Sequence, residues 1–335
     1  MKKIIQVLIA LNFSVAFAQT QIKLIVNKNS YKIDKVDIFD LSQKQIFTSD
    51  FKDTLTFNFD KNNIDCYNIR YHQGEKMYRQ QVWLDRGKIV FKANIVKDEL
   101  EIDTIFNSPF YYEVKKHFEK LFRFDYKKDS TQINDYLLQM VEKNIENPFS
   151  LAVARNYIAS NLNSKENLSK LSKFKNQFKA FDWFLIYPSV AENLDKLLNT
   201  KSINFEKFSF VDRNNKQTNL SPPKSKFTVL DFWFLKCGPC IQQHKSIKIY
   251  SEKLTKSNVE MIGISTDNDL IEWNKYLNKH EYNWSNYLEG DIKNRLSKFL
   301  GISGYPTYIV LDNTNTIVGR YNSINDVLQK VGIDK

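Results

Sequence analysis

Between about residues 19 and 107 the chain is cut into short segments in which apolar and polar residues alternate. "QIKLIVNK" (21–28), "KVDIFDL" (35–41), "DTLTFNFD" (53–60), "CYNIRYH" (66–72), "YRQQVWL" (78–84), "KIVFKANI" (88–95) and "ELEIDTIF" (99–106) are rich in β-branched and aromatic residues. Asn62-Asn63, Gly74 and Gly87 separate several of them. Period-two alternation between turn residues predicts strands with one buried face, and this many strands without helices predicts a β-sandwich or an open barrel over 19–107.

The period changes at Ser108-Pro109. Ser is a favoured helix N-cap and Pro a favoured first helical residue. Phe110, Val114, Phe118 and Leu121 then recur at helical spacing, and similar patterns cover 133–141, 147–158, 168–178 and 190–198. The stretch 108–200 is therefore expected to be all-helical. After it the types alternate. "FTVLDFWF" (227–234) reads as a strand, 239–256 as a helix, "VEMIGIST" (259–266) as a strand and 269–279 as a helix. A further helix follows over 291–300, then strands "TYIVLD" and "TIVGRY" with "DNTN" as their turn, then a closing helix near 323–331. That order predicts an α/β layered domain over 201–335.

Composition refines this outline. The 335 residues carry a formal charge of +11 and are 42% hydrophobic, enough for sizeable cores. The lysines are spread along the chain instead of forming a block, which fits a solvated surface better than a nucleic-acid footprint. The first residues, "MKKIIQVLIALNFSVAFAQT", run from a basic start through an apolar stretch to Ala16-Phe17-Ala18. This is the order of a secretory signal, so 1–18 is expected to be a signal peptide and the protein periplasmic. Gln19 follows, so no lipid-anchoring cysteine is expected there, and export makes nucleic acid an unexpected partner.

The cysteines are Cys66, Cys237 and Cys240. A C-x-x-C pair that follows a strand and opens a helix has a specific chemistry. The free N–H groups and positive end of the helix favour a thiolate at Cys237, the nucleophilic form. Cys240, one turn on, is close enough to attack a mixed disulfide at Cys237. Gly238 allows close backbone approach, and Pro239 falls in the first turn, where a missing N–H costs little. A zinc half-site completed by His244 or His280 is disfavoured by the lack of a second ligand pair, so no metal and no cofactor is expected. His244 reads as a surface or packing residue and Cys66 as a buried, inert thiol.

"LDFWFLKCGPC" resembles the active-site segment of thioredoxins, and "GISGYPTYIVLDNTNTIVGRY" their cis-proline strand and hairpin. With "FSFVDRNNKQTNLSPPKSKFTVL" and "MIGISTDNDLIEW", residues 205–333 resemble the TlpA/ResA-like branch of exported thiol-disulfide oxidoreductases. The resemblance implies a thioredoxin fold at the C-terminus, with Cys237 as attacking thiolate and Cys240 as resolving thiol in a redox-active disulfide. It implies Asp231 as a buried carboxylate that accepts the proton of the second cysteine. It implies Pro306 as a cis-proline facing the cysteines, with the Tyr305 backbone open to an extended substrate. Lys236, Gly238 and Pro239 would border the same substrate site. Lys236 replaces the Trp that usually precedes the first cysteine, and Lys245 replaces a Pro that often kinks the helix.

The implied function is reduction of protein disulfides, with protein thiol and disulfide substrates and a membrane thiol carrier as electron donor. A disulfide oxidase or isomerase is the nearest alternative. A peroxide-reducing enzyme is disfavoured because 234–237 read Phe-Leu-Lys-Cys, not T-x-x-C. From a different class comes a binding or scaffold protein whose region 19–200 captures a partner, the redox domain being subsidiary.

Overall fold

The computed structural model describes residues 20–40, 44–59, 64–97, 99–125, 128–181, 189–221, 225–282 and 284–333. The expected signal peptide, 1–18, lies outside them. No described helix is long and apolar enough to cross a membrane. Contacts divide the chain into two compact units, Met1–Asp125 and Tyr126–Lys335.

The N-terminal unit holds eight strands: β1 (Thr20–Asn27), β2 (Lys35–Asp40), β3 (Gln45–Asp50), β4 (Thr54–Phe59), β5 (Asp65–Gln73), β6 (Lys76–Leu84), β7 (Lys88–Val96) and β8 (Glu99–Phe106). They form two four-stranded sheets, ordered β4-β1-β7-β8 and β3-β2-β5-β6. All pairings are antiparallel except β1 with β7. Alternate residues enter one shared core: Ile22, Leu24 and Val26 of β1 and Phe91 and Ile95 of β7 meet Val36, Ile38, Ile69 and Tyr71 of the other sheet. This is the two-sheet sandwich expected from the alternation.

Helix α1 (Pro109–Arg123) belongs to this unit and packs on β6. Ser108 occupies its N-cap position, as expected, but its side chain makes no capping bond. Asp85 does that work. Its Oδ2 accepts from the Phe110 N–H at 2.9 Å and from the Ser108 hydroxyl at 3.0 Å, while the Asp85 N–H donates to Ser108 Oγ at 2.9 Å. A carboxylate at the positive helix end is favourable twice over, by hydrogen bond and by dipole.

The C-terminal unit begins with helices α2 (Ser130–Lys143), α3 (Phe149–Ser160), α4 (Lys165–Ser172), α5 (Lys175–Lys179) and α6 (Val190–Asn199). The helix expected over 168–178 is thus broken in two. The compact units also depart from the expected division at 107 and 200. Helix α1 joins the strands before it, and α2–α6 join the α/β domain after them. Periodicity reveals an apolar face, not what that face packs against.

The α/β part contains β9 (Phe210–Val211), β10 (Gln217–Thr218), β11 (Phe227–Trp233), α7 (Gly238–Lys256), β12 (Val259–Ser265), α8 (Leu270–His280), β13 (Ser285–Glu289), α9 (Leu296–Phe299), β14 (Thr307–Asp312), β15 (Ile317–Tyr321) and α10 (Ile324–Lys330). The helix expected over 291–300 is a 3-10 turn, Ile292–Asn294, followed by the four residues of α9. The sheet order is β10-β9-β13-β12-β11-β14-β15, with β11, β12 and β13 parallel. Central β11 is buried over nearly its whole length, as a strand covered on both faces must be. Leu230 and Phe232 face a core shared with α9, while Val229 faces Ile247 and Leu254 of α7. Alternation puts Asp231 and Trp233 on the α7 face with Val229.

Helices α2–α6 are tied to this sheet by polar contacts. The Asn163 amide donates to the Arg320 carbonyl at 2.6 Å and accepts from the Arg320 N–H at 2.7 Å, on edge strand β15. Arg155 donates to the Ser303 carbonyl at 3.2 Å, and Asn193 to the Ser303 hydroxyl at 3.1 Å.

Replacing Asp85 with Ala removes the cap of α1 and should destabilise the N-terminal unit by about 1 kcal/mol. Urea denaturation of the variant should show a lower midpoint at unchanged slope.

Candidate active site

Cys237 and Cys240 form a disulfide, with their Cα atoms 5.3 Å apart. Strand β11 ends at Trp233, and a turn closed by the Cys237 N–H on the Phe234 carbonyl, 3.0 Å, leads into α7. Asp267 holds the turn from the side: its carboxylate accepts from the Leu235 N–H at 2.8 Å and from the Ser265 hydroxyl at 2.6 Å. Cys237 is the N-cap of α7, and its Sγ accepts from the Cys240 N–H at 3.2 Å. A helix N-terminus is thereby aimed at the first sulfur, where it would stabilise a thiolate. Cys240 is fully buried and Cys237 nearly so.

Gly238, Pro239 and Lys236 are exposed around the pair. A Cβ at Gly238 would meet open space. The protein itself makes no close approach there, so any such approach comes from an incoming molecule. Lys236 lines a surface groove of about 670 Å³ with Phe234, Leu235, Asp267, Tyr276 and Lys279. Helix α7 runs unbroken for 19 residues, in keeping with Lys245 in place of a kinking Pro.

The Tyr305–Pro306 peptide bond is cis. Tyr305 packs against the cluster that contains both cysteines and lies edge-on to Phe234, with ring centroids 5.3 Å apart. The Thr307 hydroxyl closes this loop on the Gly304 carbonyl at 2.7 Å, and Ser303, gripped by Arg155 and Asn193, anchors its start.

Asp231 has no solvent exposure. Its Oδ2 lies 2.9 Å from His244 Nε2, and its Oδ1 is buried with no hydrogen-bond partner among the described residues. His244 was expected to be a surface or packing residue. It is fully buried, and it is the carboxylate's partner. Cys240 and His244 are four residues apart on α7 and share a face, so Asp231 lies beneath the face that carries the second cysteine. His244 Nδ1 is 3.0 Å from the Tyr282 hydroxyl, which is 3.1 Å from that of Tyr276. Trp233, Tyr282 and Trp284 meet the imidazole edge-on at 4.9, 5.0 and 5.8 Å. The spacing from Cys240 to His244 was the one signal in the sequence that could have found this residue.

Residues 225–317 match the model of a thioredoxin-like family. The C-terminal domain is thioredoxin-like. Its strand order and its cysteine pair at a helix N-terminus agree with that match. Similar solved structures include the thioredoxin domain of a Bacteroides vulgatus thiol-disulfide oxidoreductase, 21% identical, covering 40% of this chain and 96% of that one, TM-score 0.36. A putative thiol-disulfide oxidoreductase from the same species is 26% identical over 37% of this chain and 91% of that one, TM-score 0.32. A thioredoxin-like protein from Bacteroides caccae is 14% identical over 61% of this chain and 78% of that one, TM-score 0.42. No curated protein matches the chain.

Cys66 belongs to the N-terminal unit and is free and fully buried. Burial pushes its thiol up to about 12, against the effect of the Gln81 amide at 3.1 Å and reinforced by the Asp65 charge. At neutral pH it stays protonated, so iodoacetamide should label it only after unfolding, as intact mass of the oxidised protein would report. The unfolded thiol ionises near 9.0 and the folded one near 12. Within that window the unfolded state binds fewer protons, so this group lowers stability as pH rises.

Proposed function

We propose that the protein is an exported thiol-disulfide oxidoreductase that reduces protein disulfides through Cys237 and Cys240. The observation that carries this reading is the disulfide between them at the N-terminus of α7, above a buried carboxylate. In the reduced enzyme the helix end favours the Cys237 thiolate, which attacks one sulfur of a substrate disulfide and expels the other as a thiolate. Cys240 loses its proton and attacks Cys237 Sγ. The bond from Cys237 to the substrate breaks, the second substrate sulfur leaves as a thiolate that takes a proton from water, and the enzyme pair is left oxidised. Two electrons pass from the enzyme dithiol to the substrate disulfide.

Exposed Gly238 and Pro239 and the groove beside Lys236 offer an open face for an extended protein segment, with half-buried Tyr305 packed against the cysteine cluster. The reducing direction rests on the Gly238-Pro239 dipeptide, which is that of thioredoxin. A reductase working outside the cytoplasm needs electrons from elsewhere, and a membrane thiol carrier is the donor class proposed. Export rests on the signal-like sequence of 1–18 and would place the protein in the periplasm.

Replacing Cys237 with Ser should bring reduction of a model protein disulfide down to the uncatalysed rate; retained activity would refute the reading. Equilibration of a Cys66→Ala protein with a defined thiol buffer should give a potential near thioredoxin's, about −270 mV, for a reductase. A value approaching about −120 mV, that of a strong oxidant, would instead identify an oxidase.

A further inference from the structure

We propose that His244, Tyr282 and Tyr276 form a proton relay that connects Asp231, beneath Cys240, to the surface groove beside the active site. The proposal rests on the exchange reading above and extends it to residues that no sequence motif marks.

The chain is continuous. Asp231 Oδ2 to His244 Nε2 is 2.9 Å, His244 Nδ1 to the Tyr282 hydroxyl is 3.0 Å, and Tyr282 to the Tyr276 hydroxyl is 3.1 Å. Its inner end is closed to water, with Asp231 and His244 fully buried and Tyr282 nearly so. Its outer end is half-exposed Tyr276, which lines the groove together with Phe234 and Lys236. A buried thiol that must lose a proton has no water to take it, so a path of hydrogen bonds is the physical alternative. Asp231 Oδ1, buried and without a partner, is the open receiving position.

The proton count balances. As Cys240 Sγ–H breaks, its proton passes to Oδ1 of Asp231. The proton bridging Oδ2 and Nε2 settles on Nε2, the Nδ1 proton moves to Tyr282, that of Tyr282 to Tyr276, and that of Tyr276 to water. Each link gains one proton and loses one, which leaves the imidazole protonated on Nε2; the same path run in reverse, when the pair is reduced again and Cys240 regains its proton, restores the starting tautomer. Burial first, then the hydrogen bond to Tyr276, raises the Tyr282 phenol far above its ordinary value. Tyr282 therefore passes protons as a hydroxyl and does not hold charge.

At its outer end Tyr276 shares the groove with the charged side chains of Lys236, Asp267, Asp269, Glu272, Lys275 and Lys279. Tyr308 of β14 pairs across from Asp231 and has a buried hydroxyl with no partner. The His280 ring of α8 lies 4.2 Å from that of Tyr276, and Lys248 on α7 pairs with Glu281 at 3.3 Å on the exposed side. The neighbouring Trp233 and Trp284 are uncharged.

The test separates the two thiol steps. Reduced full-length protein, Cys66→Ala, is mixed with an aromatic disulfide whose released thiolate is coloured. The first equivalent reports attack by Cys237 and the second reports attack by Cys240. With Tyr276→Phe we expect a second phase slowed at least threefold relative to the first at pH 7, the gap closing at alkaline pH, where hydroxide replaces the relay as proton acceptor. His244→Gln should slow the second phase at least tenfold with the same convergence. Tyr276 is half-exposed, so its variant remains informative if His244→Gln does not fold. A second phase unchanged in Tyr276→Phe at every pH, or slowed equally at all pH values, overturns the relay. A wild-type protein that releases no second equivalent overturns the exchange reading and the relay with it.

Discussion

A carboxylate without solvent exposure lies in the central strand of the seven-stranded sheet, and its hydrogen-bond partner among the described residues is a histidine from the helix that carries the cysteines. Burying such a group unpaired costs on the order of several kcal/mol. The Asp231–His244 contact therefore fixes how α7 lies on β11, and with it where Cys240 sits. The surrounding packing leaves little freedom. Gly263 of β12, paired with Asp231, has no room for a Cβ beside the Asn286 amide and the Trp233 indole. Trp233, Tyr282 and Trp284 enclose the imidazole in an apolar box. Trp233 and Tyr282 belong to the same buried cluster as both cysteines, so this packing bears directly on the pair.

The helices before the α/β domain bear on the same site from the opposite direction. Arg155 of α3 and Asn193 of α6 hold Ser303, two residues before Tyr305, and so brace the loop that carries Pro306. In the rival scaffold reading these helices form part of a separate capture module. Their membership in the C-terminal unit makes them part of the thioredoxin-like domain's own support.

Much of this was legible in the sequence, for physical reasons that also explain the gaps. Alternation located seven of the eight sandwich strands and missed β3, "QIFTSD", which is largely exposed and lacks a clear buried stripe. It missed β13, "SNYLE", since five residues with two polar ones at the start carry little periodic signal. The Cys237–Cys240 pair and Asp231 stood out because their chemistry is local or tied to a fixed spacing. His244 did not, because its role depends on β11 lying under α7 and on Tyr282 arriving from 38 residues away. At α1 the sequence placed the N-cap correctly at Ser108, but the bond to the helix N–H comes from Asp85, just after β6, a partner that no local pattern marks.

Asn163 offers a donor and an acceptor to both backbone groups of Arg320, on the outermost strand of the sheet. A side-chain amide has the same hydrogen-bonding pattern as a peptide unit, so it stands where a neighbouring chain would otherwise dock. An open sheet edge is a template for self-association. Here residues 201–203 cover the start of the strand and the turn between α3 and α4 covers Arg320, so this part of the edge is protected only while the preceding helices remain attached. Fragments trimmed to the thioredoxin-like core would be expected to trade solubility for size.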